Sequence, residues 1–409
     1  MHAPLRATLL LLLPAAAACG RDGGPAFSVR DSSGVEIAES RRPAWPDDEP
    51  GLVLSVEPVL QVGAVEGAPE EQLDRVGGVV RLSDGRVAVA NGATDEIRFY
   101  GPDGRFLLAS GRAGQGPGEF ERLGGLWRLP GDTLAAYDGQ LRRISLFGPA
   151  GGFLRSLMVP SPVAAEFPRV TGAFADGSFL LETSRGVGGD AREGTRRDTV
   201  HLFRIGPDGA VRDSLGAFPS NDIHVSTGGS GENVWTTVSW LPLGRRSTFA
   251  AQGDRLVVAL ADTWEVEVRS PDGTLRRLVR RTVTRSPLTR ADIESELERT
   301  AAQIRERDSA FAIRYLENMT KAEWPAYRPA YGRVVAAADG SLWVEAPGAD
   351  ERQPVRWEVI AADGRWLGPV TTPARFQPLD VGAGHVAGLW HDDLDVTYLR
   401  VYRLERAGR

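Results

Sequence analysis

Cysteine occurs once in this chain of 409 residues, at Cys19, so no disulfide can form within one molecule. Lysine also occurs once, at Lys321; the other basic residues are arginines, scattered without a run. With a net charge of −6 and no basic stripe, no nucleic-acid partner is expected. Histidine is scarce too. His2 lies at the extreme N-terminus, and His201, His224, His385 and His391 show no close zinc-type spacing. Ligands drawn from separate repeats would not show such spacing. No Gly-x-Ser-x-Gly nucleophile elbow is present. Gly228-Gly229-Ser230-Gly231 lacks the flanking strand and helix of a phosphate cradle and reads as a loop tip. The apolar run Ala7–Leu13 is too short to span a bilayer.

What is present is a repeat. Gly77-Gly78-Val79 returns as Gly124-Gly125-Leu126, and Ile97-Arg98-Phe99-Tyr100-Gly101-Pro102-Asp103-Gly104 returns as Ile144-Ser145-Leu146-Phe147-Gly148-Pro149-Ala150-Gly151. Both offsets are 47 positions (124 − 77 and 144 − 97), without a gap. A fixed period of about 20–50 residues marks a repeat architecture. Each copy reads as four short strands. Asp-Gly turns join the first to the second and the third to the fourth, because glycine supplies the positive φ of a tight turn. Four strands per unit is the blade of a β-propeller.

The N-terminus reads as a targeting segment over residues 1–18. Arg6, the apolar stretch Ala7–Leu13 and Ala15-Ala16-Ala17-Ala18 before Cys19 have signal-peptide proportions. Small residues directly before a cysteine resemble a bacterial lipobox, with Ala16 where leucine is usual. That resemblance implies lipidation at Cys19, and Gly20 after it implies the outer membrane of the cell envelope. Residues 19–50 read as a glycine-rich tether and a hairpin over Phe27–Ala38, and residues 51–409 as the propeller.

Along the propeller, the Asp-Gly turns define successive blades. Thr171–Leu215, Thr248–Val279 and Gly332–Val370 follow the two clear copies, and a last blade starts near Phe376. The last has three strands. The orphan segment Leu52–Val62 has strand composition and no nearby partner, so it is expected on the outer edge of the last blade, closing the ring and covering an edge that invites aggregation. The expected fold is therefore all-β: a six-bladed β-propeller of four-stranded antiparallel blades, closed by Leu52–Val62. Between blades four and five, residues 287–325 carry a helical insertion. Thr289 to Asp292 looks like a capping box, and Ile293, Leu297, Ala301 and Ile304 share one helix face. Phe311, Leu316 and Met319 are expected to continue the apolar side.

The stretch Gly111-Arg112-Ala113-Gly114-Gln115-Gly116-Pro117-Gly118-Glu119-Phe120 resembles the linker between repeats in NHL-type propellers. The chain as a whole resembles the bacterial six-bladed β-propeller lipoproteins of the NHL-repeat-like, TolB-like group. That group implies the fold; it implies no single activity. Calcium-dependent lactonases and zinc-dependent lyases also use six-bladed propellers, and gather carboxylate, Asn or His ligands at the axial mouth.

Nearly all extra sequence falls on one face. Ser184–Thr199, Ala217–Arg246, Arg281–Tyr331 and Pro347–Pro354 lengthen loops between strands two and three or between blades, opposite the Asp-Gly turns. A rigid scaffold with loops on one side points to that side as functional. The first reading is a binding scaffold without a cofactor, presenting this face to a protein, peptide or glycan, with the membrane reached only through the lipid anchor. Trp235, Trp240 and Trp264 are its candidate stacking residues. The alternative is a hydrolase or lyase dependent on one divalent cation, calcium or zinc. Its candidate ligands are Asn91, Asp95, Asp138, Glu182, Asp262, Glu345 and Asp392, all oxygen donors on the loop face.

Overall fold

The computed structural model describes residues 25–46, 49, 51–185, 192–228, 235–306 and 308–407. The expected signal segment and Cys19 lie outside these residues. The described chain is mostly strand, with two α-helices.

Six sheets, each built on consecutive antiparallel strands, follow one another along the chain. The first holds Val76–Arg81, Val87–Asn91, Glu96–Tyr100 and Phe106–Ser110; the second, Leu123–Leu129, Thr133–Asp138, Arg143–Phe147 and Phe153–Met158. Within each sheet the consecutive strands pair in chain order, and segments from the N-terminal region add to the edges of the fourth and the last. The first strand of each sheet touches the first strand of the next, and Phe376–Gly382 of the last touches Val76–Arg81 of the first. This is the arrangement of a β-propeller. The apolar core lies between sheets. Phe99, Phe120, Leu126 and Phe147 fill the space between the first two, and Trp264, Val266, Tyr331 and Val344 that between the fourth and fifth.

The repeat's local chemistry explains its turns. Asp84 accepts the Arg86 N–H at 3.1 Å, and Asp103 accepts the Arg105 N–H at 3.1 Å. The glycine between each pair, Gly85 or Gly104, has φ of +91° or +82°. The doubled glycines have a different reason. A Cβ on Gly77 would lie 2.7 Å from the carbonyl carbon of Gly124, so the two inner strands approach more closely than any side chain allows.

The third sheet departs from the expectation. Within Ala217–Arg246, the described residues up to Gly228 and those from Trp235 to Trp240 are strand rather than loop. Strand Val211–Gly228 runs well past the turn-proximal part of Gly194–Ile205, and Trp235–Trp240 adds a fifth strand to the edge. The lengthened hairpin therefore stands up from the loop-bearing end.

The N-terminal hairpin, β1 (Phe27–Ser32) and β2 (Val35–Ser40), adds itself to the fourth sheet, β2 pairing in parallel with Leu275–Arg281. The chain then crosses the fifth sheet, where Ala44 and Trp45 N–H groups donate to Trp366 and Leu367. The orphan segment Leu52–Val62 is not one strand but two. β3 (Leu52–Leu54) and β4 (Leu60–Val62) each pair with the last strand, Thr397–Arg406.

Two helices follow the fourth sheet, α1 (Arg290–Arg305) and α2 (Ser309–Met319). Thr289 and Asp292 form a reciprocal capping box at the start of α1. Leu297, Ala301, Tyr315, Met319 and the loop residue Leu241 make a separate small core. Phe311, expected on the buried side, is 40% exposed, because Ala312 and Tyr315 occupy the inward face of α2.

Candidate functional site

The insertions meet at the loop-bearing end. The Glu323 N–H donates to Thr195 Oγ1 on the raised hairpin at 2.9 Å. Arg299 of α1 reaches Asp350, in the loop 346–354 of the fifth sheet, at 3.7 Å, and Arg352 of that loop reaches Glu306 at 3.6 Å. Below this junction, between the fourth and fifth sheets, lies a groove of about 550 Å³.

The groove's inner wall is rigid. Trp264, 7% exposed, packs edge-on against Tyr331, with ring centroids 5.7 Å apart. The Arg281 guanidinium is sandwiched between two indoles, 4.6 Å from the Trp264 ring centre and 3.4 Å from that of Trp366. Glu358, buried below, accepts the Trp366 Nε1–H at 2.8 Å and the Arg356 Nε–H at 2.9 Å. Arg333 stays charged, its pKa raised above the ordinary value. Burial works against the charge, but hydrogen bonds and ion pairing with Glu345 prevail. Burial raises the Tyr331 phenol far above its usual value, despite hydrogen bonds at its oxygen. Tyr331 therefore stays neutral, donating to the Glu265 carbonyl at 2.7 Å.

The rim differs from the wall. Thr282 donates its N–H to Ser40, and the Arg328 N–H reaches Ser286. Between them Val283, Thr284 and Arg285 are exposed and make no backbone–backbone hydrogen bond to another described residue. The groove holds no histidine or cysteine. Its chemistry is an exposed backbone edge, hydroxyls on Thr263, Thr284 and Ser286, and an apolar floor. Glu39, Glu265, Arg280, Arg285 and Arg328 add charge around it.

The residues singled out from sequence are dispersed. Trp264 and Glu345 line the groove. Trp235 and Trp240 do not join Trp264: they stand at opposite ends of the added edge strand, 42% and 64% exposed. Of the seven oxygen ligands, all lie toward the loop-bearing end, and none lines the axial cavity. Each is engaged by the protein. Asn91 accepts the Asp74 N–H, and Asp95 the Leu123 N–H. Asp138 takes four backbone N–H groups, from Glu121, Arg122, Gln140 and Leu141. Glu182 faces Arg169 at 3.4 Å, Asp262 bridges Arg197 and Arg245 at 2.7 Å each, and Glu345 pairs with Arg333. Asp392 closes its own turn through the Leu394 and Val396 N–H groups. Among the described residues no three His, Cys, Asp or Glu side chains are placed to share an ion. The groove's parts come from stretches far apart in sequence, Thr263–Glu265 and Arg280–Ser286 on one side and Arg328–Ala330, Glu345–Pro347 and Glu358 on the other, and no local pattern announced them.

A second cavity, of about 560 Å³, runs along the axis and is lined by the inner strands of all six sheets. Its few charges serve the scaffold: Asp380 accepts the Arg81 N–H at 2.7 Å, and Asp132 the Ser83 N–H at 3.1 Å.

No protein-family model matches the chain, and no curated protein does. Among solved structures, it is similar to a member of the DUF4221 family from Bacteroides vulgatus, with 10% identity, 88% of this chain and 100% of that one covered, and a TM-score of 0.48. It is also similar to virginiamycin B lyase from Staphylococcus aureus, with 11% identity, coverage of 86% and 99%, and a TM-score of 0.39. A calcium-binding protein, regucalcin, from Agrobacterium tumefaciens gives 10% identity, coverage of 87% and 96%, and a TM-score of 0.40. None of these similarities assigns an activity to this chain.

Proposed function

We propose that the protein is an extracytoplasmic, lipid-anchored binding scaffold of the outer membrane, of the NHL-like propeller type, with six blades. In this reading β3 and β4 complete the last blade and close the ring, and Cys19 carries the lipid. The pairing of both segments with Thr397–Arg406, and the contact of Phe376–Gly382 with Val76–Arg81, support the closure. The small-residue run before Cys19 supports the anchor.

The partner is a protein that offers an extended segment to the groove between the fourth and fifth sheets. One observation carries this. Val283–Arg285 is an exposed stretch with no backbone hydrogen bond to another described residue, continuous with a strand, beside a wall of buried aromatic and charged side chains. An extended peptide adds to such an edge through its main chain and is selected by the pockets its side chains meet.

The test is selection from a displayed random-peptide library, with a glycan array in parallel. Peptides enriched on the wild type should bind Val283→Pro at least about tenfold more weakly, the loss expected when main-chain pairing fails. Val283 donates its N–H to no described backbone group, so the substitution removes no internal backbone bond. No enrichment, or enriched peptides indifferent to Val283→Pro, would overturn the peptide reading. Binding on the glycan array alone would replace peptide by glycan.

A further inference from the structure

The N-terminal hairpin determines where the preceding chain leaves the protein. Leu275–Arg281 starts just after the Ser270–Gly273 turn, so Arg281 lies at the loop-bearing end. Ser40 of β2 pairs with Arg281, and Phe27 of β1 pairs with Ser40. The Arg41 N–H donates to Ala26 at 2.9 Å, so the chain is still at that end when it passes toward Cys19. Eight peptide steps separate Cys19 from Phe27. At about 3.4 Å each they span at most about 27 Å. A lipid on Cys19 therefore keeps Phe27, on the outer edge of the fourth sheet at the loop-bearing end, within that distance of the bilayer.

The same end displays apolar side chains that the fold does not use. Ile313 of α2 is 57% exposed, and Phe311, Tyr327 and Val283 are each about 40% exposed. α2 packs through Ala312, Tyr315 and Met319, which leaves Phe311 and Ile313 outward. Two of the exposed rings carry an arginine, Arg285 at 4.2 Å from Tyr327 and Arg314 at 5.8 Å from Phe311. An aromatic body with a cation beside it suits the level of lipid headgroups, where the ring meets acyl chains and the guanidinium meets phosphate.

We propose that the loop-bearing end docks on the surface of the bilayer that holds the anchor, with Phe311, Ile313 and Tyr327 as interfacial contacts. This rests on the lipid-anchor reading above. It adds that the groove opens toward the membrane, so its partner is taken from the membrane side.

The test uses the full chain purified from the envelope and reconstituted into phosphatidylethanolamine–phosphatidylglycerol vesicles containing doxyl-labelled lipid. A fluorophore is placed at Ile313→Cys, or at Ala150→Cys in a turn at the opposite end. Cys19, its sulfur alkylated, does not compete for the label. Quenching should be several-fold at position 313 and absent at position 150. Equal quenching at both, quenching at 150 alone, or none at either overturns the docking. Mass spectrometry of the Cys19 peptide is the separate check on the anchor. An unmodified cysteine overturns the anchor reading itself, whereas a lipidated cysteine with no quenching at 313 overturns only the docking.

Discussion

Asn91 and Asp138, 47 positions apart, accept the same hydrogen bond in successive repeats. Asn91 Oδ1 takes the Asp74 N–H at 2.9 Å, and Asp138 Oδ2 takes the Glu121 N–H at 2.6 Å. Asp74 and Glu121 are again 47 apart (121 − 74). Both acceptors are fully buried and tie the strand entering each sheet to its second strand. Asp138→Ala would leave four backbone N–H donors without their acceptor, and should cost about 3 kcal/mol in chemical denaturation. Asp138→Asn keeps an acceptor oxygen, as Asn91 does, and should cost about half as much. Equal losses for the two variants would mean that charge, not acceptance, matters there.

Arg281 should be irreplaceable by lysine. Its planar guanidinium fills the slot between Trp264 and Trp366, 10% exposed beside Glu358 at 3.8 Å. Arg281→Ala is expected to lower stability by about 2–3 kcal/mol, combining lost stacking with a less compensated buried carboxylate. Arg281→Lys should recover less than half, since an ammonium cannot stack flat on both rings. The measurement is the urea midpoint at constant slope.

Acid should loosen the turns opposite the loops. Hydrogen bonds from Ser270, then from the Thr274 backbone, hold the Asp272 carboxyl down to about 2 from 3.8. Asp208 is lowered by the Ala210 N–H and by Arg212. A carboxyl with a lowered folded pKa adds stability above its unfolded value, and that contribution vanishes as pH falls through the folded value. The melting temperature should therefore fall between pH 4 and about pH 2. The fall should be smaller in Asp272→Asn, which does not titrate. An identical profile for the variant would show that this turn is not part of the acid response.

Metal should not govern stability. The seven candidate oxygen ligands are each engaged within the fold and do not converge. Thermal unfolding with EDTA, calcium or zinc should agree within about 1 °C. A ligand bound at a hundredfold excess over its dissociation constant would add about 2.7 kcal/mol, several degrees for a chain of this size. A stoichiometric ion with such a shift would move the function to metal-dependent hydrolysis or lysis.

Local chemistry carried much of the architecture. The doubled glycines, the Asp-Gly turns and the alternating strands act over a few residues, and their physical demands can be read from neighbours in sequence. The helix start at Thr289 is local in the same way, because a capping box needs only residues three apart. What failed was whatever depends on distant partners. Ala217–Arg246 reads as a loop, yet pairing turns its residues up to Gly228 and Trp235–Trp240 into sheet. Phe311 fits a helical stripe, yet the position of the propeller beneath α2 leaves it outside. The three tryptophans sit close together in sequence, and strand pairing separates them.

By itself, then, the sequence determined a β-repeat chain with its elaborations on one end, because turns, strand alternation and period are short-range properties. Only the tertiary structure decided that the N-terminal hairpin rides on the fourth sheet, that Arg281 joins Trp264 to Trp366, and that the oxygen ligands are spent on the fold. Each of those joins residues separated by tens to hundreds of positions, and such contacts are selected by packing over the whole molecule rather than by any local pattern.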